Sequence, residues 1–442
     1  MHEIQRRQLL AWAAACAGGS LSLPALAAES LTQKLQSLLD DRECPLPGLS
    51  ALVIRRGEVV FEGQLGQRVM AAEGRPALPV TPDTLFRIAS VTKLVVLLGL
   101  MRLVEAGRID LDEDVSARLG FKLRHPRFAE VAITPRLLLS HRSGLTDEGG
   151  LFFELPATLQ GLLGPQGSIA AKAWGAQAPG RFFQYCNLNY GVLASLMEVA
   201  AGQRFDRLMQ QLVLDPLGMK GGFDASAFSP DQLAQVAVLY RKRTGEQAYD
   251  TAGPWVPQVD DFSREPPKPF KGLAGYQLGS NGTLFGPQGR LRVRVKDLGV
   301  IARMLLNEGR HGGQAFLSPA SVRQMCSEHW RFEAKAAEPA NGDNLGGLFQ
   351  AWGLGLQHFI DRSSADGRGD RVYPGLQAWG HLGFAYGLHS GLLIDPERGH
   401  AIAYAISGEG ADPEKFRGRH SSLPLFEERL QQLLWAHARE AT

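Results

Sequence analysis

The chain has 442 residues, enough for two packed lobes, and its 44% hydrophobic and 21% charged residues are those of a globular protein. Lysine and arginine number 47 against 45 acidic residues, a net charge of +2, and the basic residues are scattered among acids. That pattern excludes a nucleic-acid footprint and leaves a small molecule as the expected partner.

The chain opens with Arg6-Arg7, followed by a weakly hydrophobic run rich in alanine and glycine and then Ala25-Leu26-Ala27. This order is that of a signal peptide over residues 1–27, with a twin-arginine head and an A-x-A cleavage site. Export by the twin-arginine route to the periplasm or the medium is expected. The apolar run is too short and too poor in large residues for stable membrane insertion. Cys44, Cys186 and Cys326 remain after cleavage; an odd number leaves at least one free thiol, and no C-x-x-C spacing suggests a zinc knuckle or a redox pair.

Helical periodicity covers 30–39, and 49–63 reads as a hairpin turning at Gly57. The strong helix formers of 94–104 predict a helix that stops at Gly107. Pro135 starts a short helix ended by Gly144, and the chain to about residue 220 reads as mainly helical. Prolines and glycines crowd 252–289, around Glu265-Pro-Pro-Lys-Pro269, and predict a long loop. A helix follows over 295–308, then two or three strands within 380–407, then an amphipathic closing helix over 423–439. Strands near both ends predict one antiparallel sheet flanked by helices, an α/β (α+β) fold. The sheet lobe is expected from 28–89 and 290–442, and an inserted, mainly helical lobe with its long loop from 90–289.

Three stretches carry chemistry. Ser90-Val-Thr-Lys93 places a hydroxyl and an amine one turn apart at the start of a helix, where the macrodipole favours a developing oxyanion. Tyr185-Cys-Asn187 precedes a helix; taken alone, such a tyrosine packs and such an asparagine caps. Trp379-Gly-His381-Leu-Gly383-Phe384 by itself is an ordinary glycine-rich hairpin strand.

Together and in this order, Ser90-x-x-Lys93, Tyr185-x-Asn187 and His381-x-Gly383 resemble the motifs of the S-x-x-K serine hydrolases. That group holds penicillin-binding DD-peptidases, class C β-lactamases and related esterases and D-aminopeptidases. Leu138-Leu-Ser-His-Arg-Ser-Gly-Leu145, Asp215-Pro-Leu-Gly-Met219 and Leu305-Leu-Asn-Glu-Gly-Arg310 also look like the family, so the resemblance runs from about Leu49 to the final helix. It implies a β-lactamase/transpeptidase-like fold and an acyl-serine intermediate on Ser90. Serine needs a base, which Lys93 or Tyr185 must supply, although both have ordinary pKa values near 10. The choice between them stays open in the sequence. By resemblance Asn187 orients Lys93 and the substrate amide, and the oxyanion hole is formed by the backbone N–H groups of Ser90 and Phe384, the latter on the strand of His381 and Gly383.

Two positions depart from the family pattern. Cys186 stands where a small serine or alanine is usual and is expected to be a packed small residue. His381 replaces the lysine that gives β-lactam enzymes a permanent cation for a substrate carboxylate; as imidazolium, below pH about 6.5, it would supply that charge. If the hairpin turns at 384–386, His381 and His389 face each other and could hold zinc, but no third ligand is visible and no cofactor is required. The first reading is thus an exported β-lactamase-like acyl hydrolase acting on a β-lactam or a related amide or ester. The alternatives are a small-ester esterase or D-amino-acid peptidase/DD-carboxypeptidase of the same fold, or a catalytically silent protein that binds cell-wall peptide.

Overall fold

In the computed structural model, the described residues are 29–243, 248–334, 340–363 and 368–440; the expected signal peptide lies outside them. Helix α1 (Leu31–Leu39) starts at Ser30 in a capping box with Gln33, which satisfies two otherwise orphaned N–H groups. Strands β1 (Gly48–Arg55) and β2 (Glu58–Val69) turn at Arg56-Gly57, both with positive φ. There follow α2 (Thr92–Glu105), α3 (Leu188–Ala201), β3 (Leu239–Lys242), β4 (Trp255–Val259) and α4 (Val295–Leu306). The chain then returns as β5 (Gln357–Phe359), β6 (Ala378–Ala385), β7 (Leu388–Asp395) and β8 (His400–Ile406), and closes with α5 (Leu425–Arg439).

While β3 and β4 lie in a separate small sheet, strands β5, β6, β7, β8, β1 and β2 are consecutive neighbours in a nine-stranded antiparallel sheet. The two ends of the chain meet at its centre, where Leu49 of β1 lies opposite Ile406 of β8. Both faces are covered. Leu49, Ala51 and Val53 join a core with α1 and α5, whereas Leu52 and Ile54 point to a core shared with α2, α3 and α4. This double burial explains why β1 reads as a nearly continuous apolar run, broken only by Ser50 before Arg55, rather than as an alternating one.

The stretch between the two halves departs from the expected outline. Between α2 and α3 the described helices are one or two turns long, such as Pro135–Leu139 and Leu159–Leu163, and turns fill the rest. Within the expected loop of 252–289, β4 pairs with β3. The proline punctuation hid it: Pro257 stands opposite Tyr240 beside a register shift, on an edge strand where a missing N–H is tolerated.

Candidate active site

Ser90 lies in a 3₁₀ turn, Ala89–Val91, that feeds directly into α2. The preceding Ala89 has φ of +40°, an unfavourable conformation for a residue with a Cβ. The turn is pinned to the sheet: Ser390 on β7 donates from Oγ to Ile88 O at 2.9 Å. Gly383 of β6 packs on the same turn. A Cβ there would sit 2.6 Å from Ile88 O and 3.0 Å from Ser90 N, so only glycine lets the strand come this close.

Lys93, one turn into α2, is fully buried. Its ammonium donates to Ser90 Oγ at 2.9 Å, to Asn187 Oδ1 at 2.7 Å and to Gln288 O at 2.8 Å. All three acceptors are neutral. Burial pushes its pKa down to about 7, with the Asp147 and Cys186 charges opposing. Tyr185 lies beside it, with Nζ of Lys93 4.9 Å from the ring centre. Burial pushes the Tyr185 phenol up, against a hydrogen bond with Ser90 that favours phenolate. His141 stacks on the Tyr185 ring at 4.5 Å and accepts the Cys186 N–H on Nδ1 at 3.0 Å.

Asn187 is fixed by Asp147, two residues beyond the family-like stretch that ends at Leu145. Oδ2 of Asp147 accepts from the Asn187 backbone N–H at 2.9 Å and from Nδ2 at 2.8 Å, while Oδ1 accepts from Leu188 N at 2.9 Å. A carboxylate thus caps α3 and aims the Asn187 carbonyl at Lys93. Cys186 is fully buried, its thiol 3.4 Å from Asp147 Oδ1 and pushed well above its ordinary pKa by burial. Cys44, Cys186 and Cys326 are all free thiols.

His381 is buried at the end of the cleft. Its Nδ1 donates to Leu382 O at 2.5 Å, and Nε2 has no partner among the described residues. Burial and the nearby Lys93 hold its pKa down at about 3, so the ring is neutral at physiological pH. The expected imidazolium charge is therefore not supplied. The facing pair with His389 also fails: the hairpin turns at Tyr386-Gly387, His381 pairs with Leu392 and His389 with Phe384. An offset of three residues puts the two imidazoles on opposite faces of the sheet. His389 instead sits between Glu409 (3.0 Å) and Glu427 (2.8 Å), which raise its pKa to about 9 against burial. Phe384, half exposed, lies on this imidazole at 4.8 Å.

The cleft extends on both sides of Ser90. One cavity, about 590 Å³, includes Tyr185, His381, Gln357 and Leu345 in its wall; the other, about 500 Å³, is lined by Gln288, Arg290, Phe152 and Tyr386. Ser90, Asn187 and Phe384 border both. On the outer side of β6, β5 pairs only with Ala378–Gly380, which leaves the His381–Ala385 edge facing the cleft.

The family model described as Beta-lactamase matches residues 31–423, nearly the whole described chain. The chain belongs to the beta-lactamase family. Esterase EstB of Burkholderia gladioli is 35% identical over 211 residues, 44% of this chain and 52% of the relative, so the chain spans about half of that protein's length. Penicillin-binding protein 4 of Amycolatopsis lactamdurans is 26% identical over 74% of each chain. Among solved structures, the D-amino acid amidase from Ochrobactrum anthropi SV3, complexed with L-phenylalanine amide, superposes with a TM-score of 0.62 at 22% identity, over 93% of this chain and all of that one. That likeness shows the β-lactamase/transpeptidase-like fold: an antiparallel sheet with helices on both faces. No helix among the described residues is long and apolar enough to cross a membrane.

Proposed function

We propose that this member of the beta-lactamase family is a serine acyl hydrolase with Ser90 as nucleophile, Lys93 as its base and Tyr185 as the proton donor to the leaving group. The observation that carries the reading is the 2.9 Å contact of Lys93 Nζ with Ser90 Oγ, made by an amine whose pKa burial brings to about 7. Near neutral pH much of that amine is free to take the serine proton as Oγ attacks the carbonyl carbon. The phenol of Tyr185, pushed up by burial, keeps its proton until the leaving atom takes it. Lys93 then returns a proton to the phenolate, and water hydrolyses the acyl-Ser90. The oxyanion rests on the N–H groups of Ser90 and Phe384. In the last step the attacking water gives its oxygen to the acyl carbon and a proton to the departing Ser90 Oγ; the reaction sequence needs no metal or other cofactor.

Esters and small amides fit the site better than β-lactams. Neutral His381 offers no charge to a carboxylate on the Tyr185 side, and the exposed Leu151, Phe152, Leu345, Phe384 and Tyr386 give the cleft an apolar rim. A relative named as an esterase supports the same choice. Retention of Ser90, Lys93 and Tyr185 in contact argues against a silent peptide-binding role. Twin-arginine export to the periplasm or medium is proposed from Arg6-Arg7 and Ala25-Leu26-Ala27 alone. The deciding experiment is intact-mass analysis after mixing with nitrophenyl esters, D-amino amides, D-Ala-D-Ala peptide and β-lactams, with and without chelator. Acyl adducts on Ser90 from esters, formed with chelator present, are expected. An adduct on another residue, or none with any substrate, refutes the reading.

A further inference from the structure

Beside the cavity away from Tyr185 lies an excess of positive charge that the steps above do not use. Arg87 and Arg290 line it, Arg292 is buried behind them, and one buried carboxylate, Asp260, is hydrogen-bonded within the group. Asp260 is divided between Arg292, at 2.6 and 2.8 Å, and Arg87, at 3.1 and 3.3 Å. Asp224 acts on Arg290 and Arg292 only at a distance. Three guanidiniums against these two carboxylates leave the cluster net positive.

Arg290 receives no share of Asp260. Its guanidinium carbon lies 4.7 Å from the ring centre of Phe270 and 5.7 Å from that of Phe152, and among the described residues it makes no hydrogen bond to a carboxylate. The two rings hold the planar head in place without neutralising it. Gly286, with φ of +57°, makes room for the stem: a Cβ there would come within 2.7 Å of Arg290 Cβ. Burial and the neighbouring arginines lower the Arg290 pKa to about 10, which leaves it cationic at neutral pH. A partly desolvated, preordered guanidinium with its donors unspent is a ready partner for a planar anion, which it takes through two parallel hydrogen bonds.

Position relative to the chemistry says which part of the substrate reaches it. Tyr185 lines the His381 cavity and not the Arg290 cavity, so the leaving group that takes its proton departs on the His381 side. The acyl chain then runs past Asn187 and Phe384 into the cavity of Arg290.

We propose that Arg290 is a specificity residue that binds an anionic group, of the carboxylate class, carried at the far end of the substrate's acyl chain. The inference rests on the proposed Ser90 chemistry for its direction. Preferred substrates are monoesters of dicarboxylic acids, whose alcohol leaves on the Tyr185 side while the free carboxylate pairs with Arg290.

The test uses mononitrophenyl esters of succinate, glutarate, adipate and suberate, each against the nitrophenyl ester of the monocarboxylic acid with the same number of carbons. For at least one chain length, kcat/KM for the anionic ester should exceed that of its neutral match by about 10-fold, the scale of a charge-assisted hydrogen bond to a buried group. Arg290→Gln should bring that ratio to near one through KM, and Arg290→Lys should keep part of it. A ratio at or below one at every length, or a ratio that Arg290→Gln does not change, overturns the proposal. If neither kind of ester is turned over, the Ser90 reading fails instead. The site is then decided by calorimetric titration of the unmodified protein and of Arg290→Gln with monophenyl glutarate and phenyl valerate. Binding of the anion alone, lost in the variant, sustains it; equal binding of both, or none, overturns it.

Discussion

Asp147 grips Asn187 twice, through the backbone N–H at 2.9 Å and through Nδ2 at 2.8 Å, and so turns the amide oxygen toward Lys93. It is also the charge that most opposes the lowering of the Lys93 pKa. Asp147→Asn therefore acts on both geometry and protonation. Ester turnover should fall by roughly 10-fold, and the rising limb of the pH–rate profile should move below its wild-type position, because removing the anion disfavours the ammonium further. A profile that falls in height without moving would restrict Asp147 to a cap.

Ser90→Ala should fold, give no acyl adduct, and retain less than about one thousandth of wild-type turnover. Lys93→Met and Tyr185→Phe should each cost at least 100-fold, and the double variant little more than the worse single one, because both belong to one proton relay. In the wild type, kcat/KM for a neutral ester should climb as pH rises through about 7, where the buried amine loses its proton. Stopped assays from pH 5 to 9 give the limb directly.

Neutral His381 makes a negative prediction. With its pKa held at about 3, affinity for a carboxylate on the Tyr185 side should be flat between pH 5 and 8. His381→Lys supplies the missing cation and should raise turnover of penicillins relative to neutral esters. Inhibition constants for a carboxylated ester analogue, measured across that range, would expose a wild-type rise on acidification if the ring does titrate there.

His389 links stability to pH. Glu409 and Glu427 raise its pKa from 6.5 to about 9, so the folded state binds its proton more tightly than the unfolded chain. The stabilisation is complete below about pH 6.5 and is lost as pH rises through about 9. Lys93 has the opposite sign, since its lowered pKa makes the fold more stable as pH rises above about 7. The informative quantity is thus the difference between wild type and His389→Gln. It should be about 3 kcal/mol at pH 6, where the variant leaves buried Glu427 without its cation and Glu409 with Arg241 alone, and should shrink by pH 9.5. Urea unfolding at the two pH values measures it.

The parts of this site that could be read from sequence are those set by spacing along one helix or one strand. Ser90 and Lys93 share a helix turn, and Gly383 had to be small for β6 to approach Ser90. Strand β1 was legible because apolar β-branched residues suit a sheet covered on both faces, whereas β4 was masked by Pro257. The His381 and His389 pairing failed because strand register depends on where the turn falls, and Tyr386 takes a positive φ that composition gives no reason to expect. Asp147, His141 and Gln288 reach the site by folding of irregular segments, where no period marks a functional face. The charge states of Lys93 and His381 were equally hidden, since burial sets them and burial belongs to the folded chain.

The tie from Ser390 to Ile88 spans 302 residues of sequence. The nucleophile's turn is made by one segment, while the strand it leans on is synthesised 302 residues later. Each half can form its own local structure, yet the hole that receives the oxyanion exists only when both are joined. Ester turnover is consequently an assay of finished assembly: during refolding it should return after helical and sheet signals have recovered, and a chain shortened before β6 should acquire none.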